Sequence, residues 1–304
     1  MTHTWQERIG RQRDWIWRGW QIRYSFMHPP SLGASAYPPL IFLHGFGAAI
    51  EHWRGNLGVL GNHTSVYALD LLGFGGSRKA NTPYSTYLWA QQIHHFWQEL
   101  MGVPVVVVGN SIGSLVALTL AHQYPEMVAG IVMLSLPDVS PPPSAAPAWG
   151  QSCRYALESL LAPPWLLKGL LRLVRRPTIL TAWLRLAYGD RRAVDEELVA
   201  IISAPPQDSG AEEAFCQLFA SVRQPSFSPA AQVVLPQLQI PILLIWGSGD
   251  RLVPSSLAPG FARLNPKIQL EQWMGVGHCP QDECPERFNQ TLLTWLGEHF
   301  EALE

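Results

Sequence analysis

A serine, an aspartate and a histidine stand in glycine-bearing loops, each just after an apolar run: Gly109-Asn110-Ser111-Ile112-Gly113, Gly247-Ser248-Gly249-Asp250 and Gly275-Val276-Gly277-His278. Together these residue types suffice for nucleophilic acyl transfer. A serine hydroxyl attacks poorly until an imidazole accepts its proton, and a carboxylate orients that imidazole and stabilises it once charged. The pattern predicts Ser111 as nucleophile, His278 as general base and Asp250 as the orienting acid, in the chain order nucleophile, acid, histidine. Asp138, just past an apolar run at 127–136, is an alternative acid for the same histidine. Cys279, next to His278, is expected to be structural, since it has no base of its own.

Each candidate needs an element to hold it. Val105 to Val108 reads as a buried strand and Ser114 to Leu118 as the start of a helix, so Ser111 falls on a sharp turn between them. Glycine on both sides relieves the crowding of that turn, and the helix start offers the Ile112 N–H to an oxyanion. The run Leu40-Ile41-Phe42-Leu43 leads into His44-Gly45-Phe46-Gly47, whose Phe46 N–H is the expected second oxyanion donor. His44 is expected to hold its loop by hydrogen bonds. Asp70, opening the turn that runs to Ser77, is expected to fix backbone rather than do chemistry.

Further elements follow in order. Asp14 to Met27 reads as two antiparallel strands joined near Gly19, followed by strands at 40–43, 65–69, 103–108, 127–136, 240–246 and 268–273. Helical spacing covers 84–101 and 288–300. Strands alternating with helices predict the α/β class, with a mostly parallel central sheet flanked by helices. From 137 to 236 the rhythm breaks into leucine-rich helical patterns without a strong strand. This predicts a helical cap inserted after the sixth strand, with residues 1–136 and 237–304 forming the catalytic core. The prolines at 141, 142, 143 and 147 read as a hinge or spacer.

Inside that insertion, Leu166, Leu167, Leu170, Leu171, Leu173 and Val174 share one helical face, and Lys168, Arg172, Arg175 and Arg176 the other. With Arg185, Arg191 and Arg192, these make seven basic residues against one acid, Asp190, between 159 and 194. The basic amphipathic helix at 165–176 is read in two ways: a solvated face whose leucines pack on the core, or peripheral contact with an anionic membrane. The chain as a whole, with 21 Lys and Arg against 23 Asp and Glu, carries −2, which excludes a global attraction to nucleic acid. Four cysteines without a C-x-x-C pair predict no metal site and reduced thiols of a cytosolic-type compartment. The N-terminus has no signal-peptide core and no apolar run is long enough to span a membrane. With 304 residues there is enough chain for one large core.

The serine elbow, the His-Gly-Phe-Gly loop, the Gly-Ser-Gly-Asp loop and the Gly-His loop together resemble the α/β-hydrolase superfamily. Within it, His44 to Ala48 with Glu51-His52-Trp53-Arg54, the segment 66–75, Gly109 to Ser114, and Gly277-His278-Cys279-Pro280-Gln281-Asp282-Glu283 look like the pheophytinase and chlorophyll dephytylase group. Trp17-Arg18-Gly19 with Ile22-Arg23-Tyr24 is similar to that group too. The resemblance implies hydrolysis of a carboxylic ester, the phytyl ester of chlorophyll or pheophytin, through an acyl-enzyme on Ser111, Asp250 and His278. It implies no metal and no organic cofactor, a hydrophobic ester as partner, and a location on the cytoplasmic side, peripheral to a photosynthetic membrane. Two alternatives stay open: a lipase or small-ester carboxylesterase on the same triad, and a ligand receptor of the same fold that does not turn over. Epoxide hydrolase and dehalogenase chemistry uses an aspartate nucleophile, where this chain has Ser111.

Overall fold

The computed structural model describes residues 5–30, 35–139 and 163–300; the four-proline spacer and Cys153 lie outside them. Eight strands make one sheet: β1 (Arg11–Trp17), β2 (Trp20–Met27), β3 (Leu40–Leu43), β4 (Val66–Leu69), β5 (Val105–Asn110), β6 (Val128–Leu134), β7 (Ile242–Gly247) and β8 (Ile268–Trp273). Their spatial order is β1-β2-β4-β3-β5-β6-β7-β8. The β1/β2 and β2/β4 pairings are antiparallel and the rest parallel. The first hairpin turns at Arg18 and Gly19, both at positive φ (51° and 80°), the backbone a two-residue hairpin loop requires.

Among the described residues, seven helices have eight residues or more: α1 (Thr86–Leu100), α2 (Ile112–Gln123), α3 (Pro164–Val174), α4 (Pro177–Ala187), α5 (Glu196–Ser203), α6 (Ala211–Val222) and α7 (Pro285–His299). The four valines before the elbow show how they cover the sheet. Val105 and Val107 pack in one core with Trp89 and Ile93 of α1 and Leu115 to Leu118 of α2. Val106 and Val108, pointing the other way, pack with Phe288, Leu292, Trp295 and Leu296 of α7. Burial on both faces is why β3, β5 and β7 read as unbroken apolar runs.

Local chemistry moves three boundaries. The strand expected over 127–136 stops at Leu134, because Ser135 takes a positive φ of 51° and leaves the extended region. The strand expected from 240 begins at Ile242, after Pro241, which has no N–H for a ladder. The closing helix starts at Pro285, before Phe288, since proline suits a first helical turn.

Between β6 and β7 the described residues hold helices α3 to α6 and no strand. Packing divides this segment. Leu180, Ala187 and Tyr188 cluster with Leu198, Ile201 and Ile202 of α5, and with Ala48 and Cys279 from loops at the sheet edge. Ala214 and Leu218 of α6, with Phe227, Ala231 and Leu235 beyond it, join the main core instead.

Helix α3 departs from the expected two-faced pattern. Leu167 and Leu171 are buried, whereas Leu166, Leu170, Leu173 and Trp165 are exposed, so the wide apolar arc is shared between interior and solvent. Its basic side is partly spent as well: Lys168 Nζ pairs with Glu213 (2.5 Å) and Arg172 Nε with Glu212 (2.6 Å), both on α6. No helix among the described residues is long and apolar enough to cross a membrane.

Candidate active site

Ser111 sits between the end of β5 and the start of α2 with φ 55° and ψ −114°, a strained backbone for a residue with a side chain. Its N–H donates to Leu134 O of β6 (2.8 Å), and its own carbonyl accepts from Ser114 N (2.9 Å). Ser114 locks the turn from beneath: its hydroxyl lies 2.7 Å from Gly109 O and 2.9 Å from Leu134 O. A Cβ on Gly113 would overlap the carbonyls of Leu43 and His44, and one on Gly109 the backbone of Gly113. That is the spatial need behind both glycines of the motif, since α2 crosses directly over β3 and β5.

Asp250 and His278 meet at the ends of the last two parallel strands. His278 Nδ1 lies 2.8 Å from Asp250 Oδ2. The other carboxylate oxygen, Oδ1, accepts from the N–H groups of Leu252 and Val253 (2.9 Å each). Burial alone would raise the Asp250 carboxyl; the His278 contact and the two backbone donors outweigh it and hold the group below its ordinary value. It is therefore ionised at neutral pH, with its charge directed at the imidazole. Asp138 is placed differently: its side chain is exposed and its Oδ2 accepts from Gln232 Nε2 (2.8 Å).

The loop after β3 presses against the elbow. A Cβ on Gly45 would stand 2.8 Å from Asn110 Oδ1 and 3.5 Å from the Ser111 Cβ. Phe46 lines the same cavity as Ser111, and Ile112 opens α2, where a first-turn N–H has no acceptor within the helix. His44 is wholly buried. Leu71 N donates to its Nε2 (3.1 Å), which leaves Nδ1 protonated to donate to Gly45 O (2.8 Å). Burial lowers its pKa, so the ring is a neutral strut for the loop. Asp70 accepts from Ile50 N (2.9 Å), Gly76 N (2.7 Å) and Arg23 Nε (2.6 Å), tying three segments together away from the chemistry.

Above these groups lies a cavity of about 440 Å³, lined at its floor by Phe46, Asn110, Ser111 and His278. Its walls are Leu170, Leu171 and Val174 of α3, Leu180, Trp183 and Leu184 of α4, and Leu218 and Phe219 of α6. The segment between β6 and β7 thus contributes most of the apolar wall. Lys79 also lines it, yet its ammonium is spent on Asp208 (2.9 Å) and on the carbonyls of Gly75 and Ser77.

Sequence reading did not anticipate how the histidine loop is held. His278 N donates to Ala187 O at the end of α4 (2.8 Å), and Asn110 Nδ2 donates to His278 O (3.0 Å). Glu283 accepts from Gly277 N (2.9 Å) and Gly189 N (2.7 Å). Asp282 accepts from Arg54 Nη1 (2.6 Å) and Tyr188 Oη (2.5 Å). With its proton on Asp282, Tyr188 Oη accepts from His52 Nε2 (2.8 Å). Asn110, His52, Arg54, Asp282 and Glu283 lie inside segments recognisable in the sequence, whereas Ala187, Tyr188 and Gly189 do not, and the bonds between these segments span distances that no local pattern encodes. Cys279 is buried, and burial pushes its thiol well up, which keeps it protonated and unreactive.

This buried network makes stability depend on pH. Burial lowers the His52 pKa to about 4 from an ordinary 6.5. Between those values the unfolded chain takes up a proton that the folded chain refuses, so stability falls as pH falls through this window, by about 1.4 kcal/mol per unit and roughly 3 kcal/mol in all. His44 acts in the same direction. Urea unfolding at pH 7 and pH 4.5 should show a loss of a few kcal/mol, and an unchanged midpoint would contradict the buried neutral imidazole.

Comparison with known proteins agrees with this architecture. A model of the alpha/beta hydrolase family matches residues 40–291. The chloroplast pheophytinase of Arabidopsis thaliana is 26% identical over 87% of this chain and 62% of its own length, so the chain spans under two thirds of that relative. The 2-hydroxymuconate semialdehyde hydrolase of Pseudomonas putida is 29% identical over 86% of this chain and 87% of that protein. The solved epoxide hydrolase CorEH superposes with a TM-score of 0.76 over 95% of this chain and 99% of its own, at 18% identity, a likeness of fold. With the sheet order, the serine elbow and a family match over most of its length, the chain belongs to the α/β-hydrolase family.

Proposed function

We propose that this chain is a serine hydrolase for carboxylic esters of long apolar alcohols, with the phytyl ester of chlorophyll or pheophytin as substrate. The observation that carries the reading is the cavity: Ser111 and His278 at its floor, and walls of leucine, valine, tryptophan and phenylalanine. Helices α3 to α6 act as the cap, with 137–236 as the inserted unit. Burying a methylene is worth about 0.8 kcal/mol, so a twenty-carbon isoprenoid gains on the order of 10 kcal/mol if enclosed. The pheophytinase relative supports the same substrate class, and with it a place at the surface of a photosynthetic membrane.

In this reading the Ser111 hydroxyl attacks the ester carbonyl while His278 Nε2 takes its proton, since Nδ1 is held by Asp250. The N–H groups of Phe46 and Ile112 receive the developing oxyanion. Collapse of the tetrahedral intermediate returns the proton to the leaving alcohol and leaves an acyl-serine. Water, deprotonated by His278, then releases the acid and frees Ser111. These steps use only side chains and backbone donors of the chain.

The test is incubation of the purified protein with chlorophyll a or pheophytin a in detergent micelles, following free phytol. Release of phytol ranks the two pigments. Cleavage of a short soluble ester with no phytol from either pigment would overturn the pigment assignment in favour of a small-ester carboxylesterase. Tight binding of a small ligand with no cleavage of any ester would favour a receptor.

A further inference from the structure

Helices α3 and α4 are joined by a two-residue turn, Arg175-Arg176, and between them they leave a row of large apolar residues in solvent: Trp165, Leu166, Leu170, Leu173, Trp183 and Leu186. Trp165 is 73% exposed and Trp183 52%. Such a row is costly on a surface that meets only water. Leu170 and Trp183 belong at once to this outer row and to the lining of the cavity above Ser111, so the exposed apolar surface runs into the catalytic cavity.

The charge around the row is one-sided. Lys168, Arg172 and Arg192 are paired with Glu213, Glu212 and Asp190. Arg175, Arg176, Arg185 and Arg191 are in no ion pair with any described residue, and they sit on the same two helices or just past them. Apolar side chains flanked by unpaired arginines match the boundary of an anionic bilayer, where tryptophan and leucine enter the acyl edge and guanidinium groups stay at the headgroups. A second protein copy would instead bring the same positive charges face to face.

We propose that the α3–α4 hairpin is a docking surface for an anionic lipid bilayer, seated so that substrate passes from the lipid past Leu170 and Trp183 to Ser111. The passage rests on the ester-hydrolase reading above; the docking does not, because lipid binding is read without any turnover. Trp165, Leu166 and Leu173 lie outside the cavity lining, so they can be changed without touching the catalytic pocket.

The experiment is flotation of the full chain with phosphatidylcholine vesicles, with and without phosphatidylglycerol. Wild type should float with the anionic vesicles and be released as salt rises. The triple variant Trp165→Ser, Leu166→Ser, Leu173→Ser, and separately Arg176→Glu with Arg185→Glu, should each lower the bound fraction by roughly tenfold or more. Cleavage of a short soluble ester should stay within about twofold of wild type in both, which also shows that they fold. Wild type that stays in solution with anionic vesicles overturns the proposal, as does a triple variant that floats as well as wild type. A wild-type dimer that does not float, and that the triple variant fails to form, assigns the row to a second copy instead. Flotation without any esterase activity would keep the docking surface and remove the hydrolase reading; activity without flotation would do the reverse.

Discussion

On the proposed mechanism, Ser111→Ala should reduce ester turnover by roughly 10⁶, with substrate binding left almost unchanged, because removing the proposed nucleophile disables a triad that acts as a unit. The residual rate should be the small acceleration supplied by the oxyanion donors and by binding alone. Folding gives no reason to expect collapse of the variant. Ser111 is only half-buried, its backbone contacts to Leu134 and Ser114 do not use the hydroxyl, and the tie beneath the turn belongs to Ser114. The checks are kcat on wild type and variant with the same ester, beside a thermal melt to show equal stability. A variant retaining a tenth of wild-type turnover would mean that another group attacks the carbonyl. Cys279 does not fill that role, since its thiol is buried and held protonated.

Asp250→Asn should cost about 10⁴ in kcat, because an amide in place of the carboxylate cannot hold the imidazole in the tautomer that accepts the serine proton. The geometry makes this sharp. Asp250 Oδ2 is 2.8 Å from His278 Nδ1, and Oδ1 is fixed by two backbone donors, so the substituted amide would keep its place while offering the wrong partner. The companion change Asp138→Asn should leave kcat within about twofold, as that side chain is exposed and bonded to Gln232. Steady-state kinetics on both variants decides which acid serves the histidine. Equal losses in the two would show that the histidine draws on both acids, and a larger loss for Asp138→Asn would transfer the role.

Much of the scaffold was readable because its signals are local. The strand Val105 to Val108, the turn at Ser111 and the helix behind it lie within nineteen consecutive residues, and each is dictated by neighbours in the chain: valine runs, glycines of no bulk, an apolar helix start. The same holds for Leu40 to Leu43 with the loop after it. Strand ends were less legible, since they turn on single residues such as Ser135 and Pro241 whose effect is seen only in the backbone.

The inserted helices show the other side. Leucine spacing announced a helix at α3, but one apolar arc was divided between the interior and solvent, and that division depended on where α6 and α4 pack against it. The buried set around the histidine loop, His52, Tyr188, Asp282 and Glu283, is joined by hydrogen bonds between residues as many as 136 positions apart. No period or motif links them, because such contacts are created by the folded arrangement and leave no regular trace along the chain. Sequence alone therefore carried the fold class, the candidate nucleophile, acid and base, and the loops that bear them, each encoded within a few residues. The cavity wall, the support of His278 and the direction in which α3 shows its leucines came from packing, where distant segments meet and burial decides which side of each helix faces water.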